Sequence, residues 1–155
     1  MNSDYRDLIA EFNAHSVEFI VVGAHALAAH GHVRATKDLD VWVRPSLDNA
    51  QRVLAALRAF GAALHDLTVE DLASPGVIFQ MGVDPVRIDV ITAIDGVLFD
   101  DAWPRRLKTT FADQPASVLS RKDLIKNKST AARRQDLADI EWLETHPLPS
   151  KDSAP

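Results

Sequence analysis

Apolar positions between residues 17 and 43 predict a strand, a short helix and a second strand. Val17–Val22 is a short, β-branched run stopped by glycine, which is typical of a buried strand. Ala24–His30 is rich in Ala and Leu and ends before Gly31, where a helix would stop. A second apolar run, Leu39–Val43, predicts another strand. The predicted unit is therefore strand–helix–strand.

The same kind of pattern predicts the other elements of the chain. Helical spacing of apolar residues predicts helices over Tyr5–His15, from Pro45 or Ser46 to Gly61, from Ser120 onward, and over Gln135–Glu144. The apolar sides of the second and fourth of these helices include Leu47 and Leu137, respectively. Ser120 followed by Asp123 approximates a capping box.

Strands are predicted where the apolar runs are short and bounded by turns. Val77–Met81 and Val86–Thr92 would form a hairpin around a turn at 82–85, and Ala116–Leu119 would be a last small strand. The pattern over Leu64–Leu72 is ambiguous, and a short strand running into a turn is its best interpretation. Strands mixed with helices, with few βαβ repeats, predict an α+β or mixed-sheet architecture with a small C-terminal helical cap.

Length and composition are those of an ordinary globular protein. We expect one domain over residues 1–145, with a helical C-terminal part at about 120–145 and a disordered, proline-rich tail at 146–155. Cysteine is absent, which excludes disulfides and thiolate zinc sites. No apolar run approaches a membrane span and the N-terminus lacks a signal-peptide pattern, so we expect a cytoplasmic protein without membrane contact.

Charge is distributed unevenly along the chain. The formal net charge is −5, but residues 104–134 contain nine basic residues against two acidic ones, a net +7 that leaves −12 for the rest. A basic segment on an acidic protein can bind a polyanion such as RNA. A solvated Lys/Arg-rich surface explains the same segment equally well.

Three aspartates are the first candidates for chemistry. Asp38 and Asp40 alternate along the predicted strand and therefore share a face, where they raise each other's pKa unless a cation joins them. Asp89 is a charge in an apolar strand context. Carboxylates on two neighbouring strands are suited to Mg²⁺ and to two-metal phosphoryl transfer. In the alternative interpretation, Asp38 is a surface turn residue and Asp89 an ion-pair partner of Arg87.

Residues before these aspartates could contact an anion. Gly23-Ala24 lies at a strand-to-helix turn, where backbone N–H groups can approach a phosphate, although such turns are more often simply tight turns. Arg34, Thr36 and Lys37 could neutralise Asp38 or reach a triphosphate, or could be ordinary loop residues.

Two other groups of polar residues are candidates for a functional site. His25 and His30 are five residues apart, which is a poor spacing for a zinc pair on one helix. Lys128 and Arg133 lie close in sequence to the aspartates of the last helix, which are three residues apart and share a helix face.

Together these motifs resemble the nucleotidyltransferase superfamily of the DNA polymerase β type. Within it, the chain looks most similar to the small bacterial AbiEii-like toxin group. One departure is Ala24, which stands where the superfamily has Gly or Ser. The residues that carry the resemblance are Val22-Gly23-Ala24, thirteen intervening residues, Asp38-Leu39-Asp40-Val41, Arg87-Ile88-Asp89-Val90 and the late NKSTAARRQDLAD, with Lys128, Arg133 and Asp136 at matching positions.

The resemblance implies a nucleotidyltransferase-like mixed β-sheet flanked by helices. It implies transfer of a nucleoside monophosphate from an NTP to an acceptor hydroxyl, with RNA or tRNA as acceptor and an antitoxin as protein partner. The alternatives are a protein or small-molecule acceptor, and a nucleotide- or RNA-binding module of the same fold. The oligomeric state stays open. The implied metal ligands for Mg²⁺ or Mn²⁺ are Asp38, Asp40 and Asp89, and the implied nucleotide contacts are Gly23, Ala24, Arg34, Thr36, Lys128, Arg133 and Asp136.

Overall fold

A computed structural model describes residues 3–33, 38–83 and 86–147. In this part of the chain, helices flank one mixed sheet, which confirms the predicted α+β class. The strands are β1 (Phe19–Val22), β2 (Asp38–Val43), β3 (Ile78–Met81), β4 (Arg87–Ile91), β5 (Leu107–Phe111) and β6 (Gln114–Val118). The helices are α1 (Ser3–Ala14), α2 (Gly23–Ala29), α3 (Leu47–Phe60), α4 (Val69–Ala73), α5 (Phe99–Ala102), α6 (Arg121–Ala131) and α7 (Arg134–Thr145), with a 3-10 helix at Trp103–Arg105.

The sheet has the strand order β3-β4-β2-β1-β6-β5. The β2–β4 and β1–β6 pairs are parallel, and the other neighbours are antiparallel. The outer elements β3–β4 and β5–β6 are hairpins, and the first of these was predicted from the turn at 82–85. The apolar strands β1 and β2 are therefore central.

The two faces of the central strands have different neighbours. Phe19 pairs with Val43, and its ring packs edge-to-face against Phe12 of α1 at 5.4 Å between centroids. Leu39 and Val41 are fully buried and share this face of β2. Asp38 and Asp40 consequently project from the opposite face.

Local capping explains where the helices begin and end. Ser46 accepts a hydrogen bond from the Asn49 N–H and starts α3, while Gly61 ends it in the left-handed region at φ +92°. Ser120 similarly accepts from the Asp123 N–H. The predicted capping box at this helix is only half formed, because the Asp123 carboxylate binds Arg105 instead.

Several sequence predictions are wrong in detail. Residues Leu64–Leu72 do not form a strand: Thr68 and Asp71 make a reciprocal capping box that starts α4. Leu47 and Leu137 are 59% and 56% exposed, so they do not belong to the apolar sides of their helices. Strand β5 was missed because its middle residues, Lys-Thr-Thr, are exposed at a sheet edge and give no apolar signal.

The C-terminal end differs slightly from the prediction. The disordered tail was predicted to start at 146, but the His146 ring stacks on Trp142 with centroids 4.4 Å apart. Residues 148–155 of that predicted tail lie outside the described ranges. Among the helices that are described, none combines the length and apolar character required to cross a membrane.

Candidate active site

The register between β2 and β4 brings the three aspartates together. Asp40 pairs with Asp89, and Asp38 pairs with Arg87. Paired residues on adjacent strands point to the same face of a sheet. The three carboxylates and the Arg87 guanidinium therefore lie on the face opposite the α1 side.

Arg87 bridges two of these carboxylates. Its Nη2 atom lies 2.8 Å from Asp38 Oδ2 and 3.3 Å from Asp89 Oδ2. The alternative interpretation of Asp89 as an ion-pair partner of Arg87 is thus confirmed as a contact. The other part of that interpretation, in which Asp38 is a surface turn residue, is wrong, because Asp38 is the first residue of β2.

Asp40 carries the strongest electrostatic effect at the site. Burial, together with the neighbouring charges of Asp89 and Asp38, raises its pKa to about 6, and Arg87 offsets only part of this rise. Asp89 is also buried, and its Oδ1 atom has no hydrogen-bond partner within the described residues. Within the described residues, the three carboxylates and the Arg87 guanidinium therefore form a site of net negative charge.

Gly23 forms the wall beside Asp40. It adopts φ +70°, and a Cβ built on it would lie 2.6 Å from Asp40 Oδ2. Both the backbone conformation and the lack of a side chain are therefore required. The strand-to-helix turn predicted to approach a phosphate thus lies directly against a carboxylate, and Ala24 in the first turn of α2 contributes no hydroxyl.

Gln80 extends the same row of residues across the sheet. It pairs with Asp89 in the antiparallel β3–β4 register, so both side chains are on one face, and Gln80 is exposed. Sequence reasoning missed it because the register of a hairpin with a long loop cannot be read from the pattern alone. Alternation within β3 would have been the available signal.

The late motif forms a separate buried ion cluster between α6 and α7. Lys128 Nζ lies 3.3 Å from Asp136 Oδ1 and 2.9 Å from Asp139 Oδ2, and all three side chains are buried. Arg133 contacts Asp136 through its side chain and its backbone N–H. Burial raises the pKa of Asp136, but Arg133 and Lys128 more than reverse this and hold it below its usual value.

This cluster contacts the segment that leads toward Asp38. His32 Nε2 lies 3.4 Å from Asp139 Oδ1, and the His32 ring stacks on Trp142 at 4.5 Å. His30 Nε2 is 2.8 Å from the Leu119 carbonyl oxygen. The predicted nucleotide contacts Arg34 and Thr36 lie outside the described residues.

The basic segment is partly used inside the protein. Arg105 pairs with the buried Asp123 at 2.8 Å, and Lys128 and Arg133 belong to the cluster above. His25 packs edge-to-face between Tyr5 and Phe111, and burial lowers its pKa. Of the cations in the basic segment, the buried Lys128 is not available to the predicted polyanion surface, whereas Arg133, whose side chain is 78% exposed, remains available.

Solved structures with a similar backbone share this sheet and helix arrangement. The antibiotic-resistance factor ANT(2'')-Ia matches with a TM-score of 0.63 and 13% identity, covering 92% of this chain and 82% of that one. The lincosamide antibiotic adenylyltransferase LnuA, with lincomycin bound, matches with a TM-score of 0.55 and 12% identity over 94% of this chain and 97% of that one. The chain has the nucleotidyltransferase fold.

A further solved structure agrees with this fold assignment. A candidate nucleotidyltransferase from Thermotoga maritima matches with a TM-score of 0.55 and 14% identity, over 91% of this chain and 86% of that one. No protein-family model and no curated protein matches the sequence. At these identities the likeness establishes the nucleotidyltransferase fold and leaves the activity to be argued from the site.

The donor atoms of the site fit a hard divalent cation. Across residues 3–33, 38–83 and 86–147, no three His, Cys, Asp or Glu side chains already form a metal-holding group. The carboxylates nonetheless offer oxygen ligands. One Asp89 oxygen is buried with no hydrogen-bond partner among the described residues, and burial together with the charges of Asp89 and Asp38 raises the pKa of Asp40. Mg²⁺ and Mn²⁺ prefer such ligands.

Proposed function

We propose that this protein is a divalent-metal-dependent nucleotidyltransferase. The observation that carries the proposal is the pairing of Asp40 with Asp89 against the Gly23 turn. A half-buried carboxylate paired with a buried one is unfavourable in isolation, and a cation would relieve the repulsion. A site of this charge on this fold is suited to binding a metal-bound triphosphate.

The proposed reaction transfers a nucleoside monophosphate from an NTP to an acceptor hydroxyl. The hydroxyl oxygen forms a bond to the α-phosphorus, and the bond from that phosphorus to the bridging oxygen of the β-phosphate breaks. Pyrophosphate leaves with the bonding electron pair. Asp89 accepts the proton of the acceptor hydroxyl, because it is a buried carboxylate at the side of the site that faces β3.

Asp38, Asp40 and Asp89 would hold Mg²⁺, or Mn²⁺ in its place. A bound divalent ion would neutralise charge on the phosphate oxygens and on the leaving pyrophosphate. The chain's own contribution is to fix three carboxylates on two hydrogen-bonded strands, which is a rigid support.

The nucleotide would lie between the Gly23 turn and the segment before Asp38. The backbone N–H groups of Gly23 and Ala24 would face phosphate oxygens, and Arg34 and Thr36 would supply further contacts. The Lys128, Arg133 and Asp136 cluster supports the nucleotide side through its contact with His32.

We propose two classes of acceptor. The ANT(2'')-Ia structure with adenylyl-2''-tobramycin, TM-score 0.59, shows that a protein of this fold carries a small antibiotic adduct. The exposed Gln80 next to Asp89 suits a small polar acceptor here. The second class is RNA or tRNA, and it is supported by Lys122 and Lys126, which are exposed on one face of α6. With that acceptor, the protein would act as a cytoplasmic toxin with an antitoxin partner.

A labelled-transfer assay tests the proposal. Each of the four α-labelled NTPs is supplied with Mg²⁺ and with total RNA, a protein extract or a pool of small hydroxyl compounds. We expect label in one pool, and loss of that label in Asp38→Ala but not in the exposed α1 control Asp7→Ala. Unchanged transfer in Asp38→Ala would refute the site assignment. Mg²⁺-dependent NTP binding without transfer in any pool would favour the binding-module alternative.

A further inference from the structure

Arg87 is the cation that the structure places against the candidate metal ligands. One atom, Nη2, contacts both Asp38 and Asp89, and the side chain is 34% exposed. The contact is therefore an ion pair on the open side of the site, and not a buried structural bridge.

We propose that Arg87 competes with the divalent cation for Asp38 and Asp89, and that ion binding displaces its guanidinium toward the NTP phosphates. This inference rests on the proposed function. It assigns to Arg87 two roles that follow one another, first as counter-charge to the carboxylates and then as phosphate contact.

The two cations would share ligands and repel each other. Arg87 contacts Oδ2 of Asp38 and Oδ2 of Asp89, and an ion shared by the two strands would bind the same two carboxylates. Mg²⁺ needs carboxylate oxygens at about 2.0–2.1 Å with little distortion. A guanidinium that holds one oxygen of each carboxylate restricts the orientation of both groups, and its like charge opposes the ion at this range.

The site keeps room for Arg87 after displacement. Arg87 precedes Asp89 by two residues in β4, so its side chain stays on the face where a triphosphate would lie. Its partial exposure lets the guanidinium leave the carboxylates without unpacking a core. A guanidinium binds phosphate oxygens in a bidentate manner, which compensates for the ion pairs that it loses.

The decisive measurement is Mn²⁺ binding in the absence of nucleotide. Free Mn²⁺ is followed by electron paramagnetic resonance in wild type, Arg87→Gln and Arg87→Lys. Arg52→Gln is the matched control, because Arg52 is a similarly exposed ion-paired arginine of α3 and its loss changes the net charge equally. Thermal unfolding with and without Mn²⁺ confirms folding of each variant.

We expect Arg87→Gln to bind Mn²⁺ up to about fivefold more tightly than wild type, the largest factor that an ordinary, partly exposed ion pair supplies. Arg52→Gln should match wild type, and Arg87→Lys should lie between wild type and Arg87→Gln. Mn²⁺ should also raise the melting temperature of Arg87→Gln more than that of wild type. With Mn²⁺ at saturation, Arg87→Gln should bind an NTP more weakly than wild type, because the displaced guanidinium is missing.

Equal or weaker Mn²⁺ binding by Arg87→Gln would overturn the competition. So would an equal gain in Arg52→Gln, since that effect would come from net charge. Either of these two results would overturn this inference alone, and not the proposed metal site, if wild type still binds Mn²⁺ and Asp40→Asn does not. Absence of Mn²⁺ binding in every folded variant would overturn the inference and the proposed metal site together.

Discussion

Replacing Asp40 by Asn should stabilise the metal-free protein at neutral pH, although it should abolish metal binding and transfer. Asn has almost the same shape as Asp and removes the charge that burial and the neighbouring carboxylates disfavour. Its amide can also donate a hydrogen bond to Asp89, which an ionised Asp40 cannot do.

The magnitude follows from the pKa of Asp40. The ordinary value is 3.8 and the folded value about 6, so the folded state holds the proton more strongly than the unfolded chain does. Stability is therefore undiminished below the unfolded pKa and falls as the pH rises through the window between about 4 and 6. At 1.36 kcal/mol per pH unit, the full loss in wild type is about 3 kcal/mol.

Urea unfolding in EDTA measures this difference directly. Asp40→Asn should exceed wild type by up to about 3 kcal/mol at pH 7.5 and by less than about 1 kcal/mol at pH 4. Asp7→Asn, an exposed change in α1, controls for the loss of one negative charge. A variant less stable than wild type at pH 7.5, or a gain that does not change with pH, would refute the reasoning. Mn²⁺ should stabilise wild type and leave Asp40→Asn unchanged.

Two further changes test the supporting residues. Gly23→Ala should lower the free energy of unfolding by more than about 2 kcal/mol and abolish transfer, because strain at φ +70° adds to a clash with the carboxylate of Asp40. Gly61→Ala is the control, because Gly61 has φ +92° and open space around it. It should lower the free energy of unfolding by only about 1 kcal/mol in the same urea titration. Similar losses for both would show that the clash is relieved. Lys128→Met should cost about 3 kcal/mol, because it leaves the two α7 carboxylates without their shared ammonium, and circular dichroism during thermal unfolding would show this as a lower melting temperature. An unchanged melting temperature would contradict that estimate.

The sequence alone was sufficient for the central unit and for the helices with strong caps. Val17–Val22 and Leu39–Val43 are apolar except for Glu18 and Asp40, and short apolar runs of this kind are typical of buried strands. Ser46 and Gly61 bound α3 because a cap and a left-handed glycine are local signals. The i, i+2 placement of Asp38 and Asp40 on one face followed from strand geometry alone.

The missed features depend on pairing between distant segments. Edge strand β5 is held by its hydrogen bonds to β6, so its polar residues gave no apolar pattern. Gln80 reaches the site through the β3–β4 register, and Arg87 reaches Asp38 through the β2–β4 register; a sequence does not specify either register. Charge counting along residues 104–134 could not show that Lys128 pairs with Asp136 and Asp139, because both aspartates lie beyond that segment.

The late motif at residues 127–139 and the remainder of α7 contact the residues that precede β2. Gly31 packs against the Trp142 ring, where an added Cβ would lie 3.4 Å away, and His32 contacts Asp139. Lys128 neutralises Asp139 from α6, so both C-terminal helices are tied to the residues that lead into β2. Because a buried carboxylate without its cation is costly, loss of any one member disturbs the others. The ion cluster therefore holds His32 in place on the described residues that precede β2.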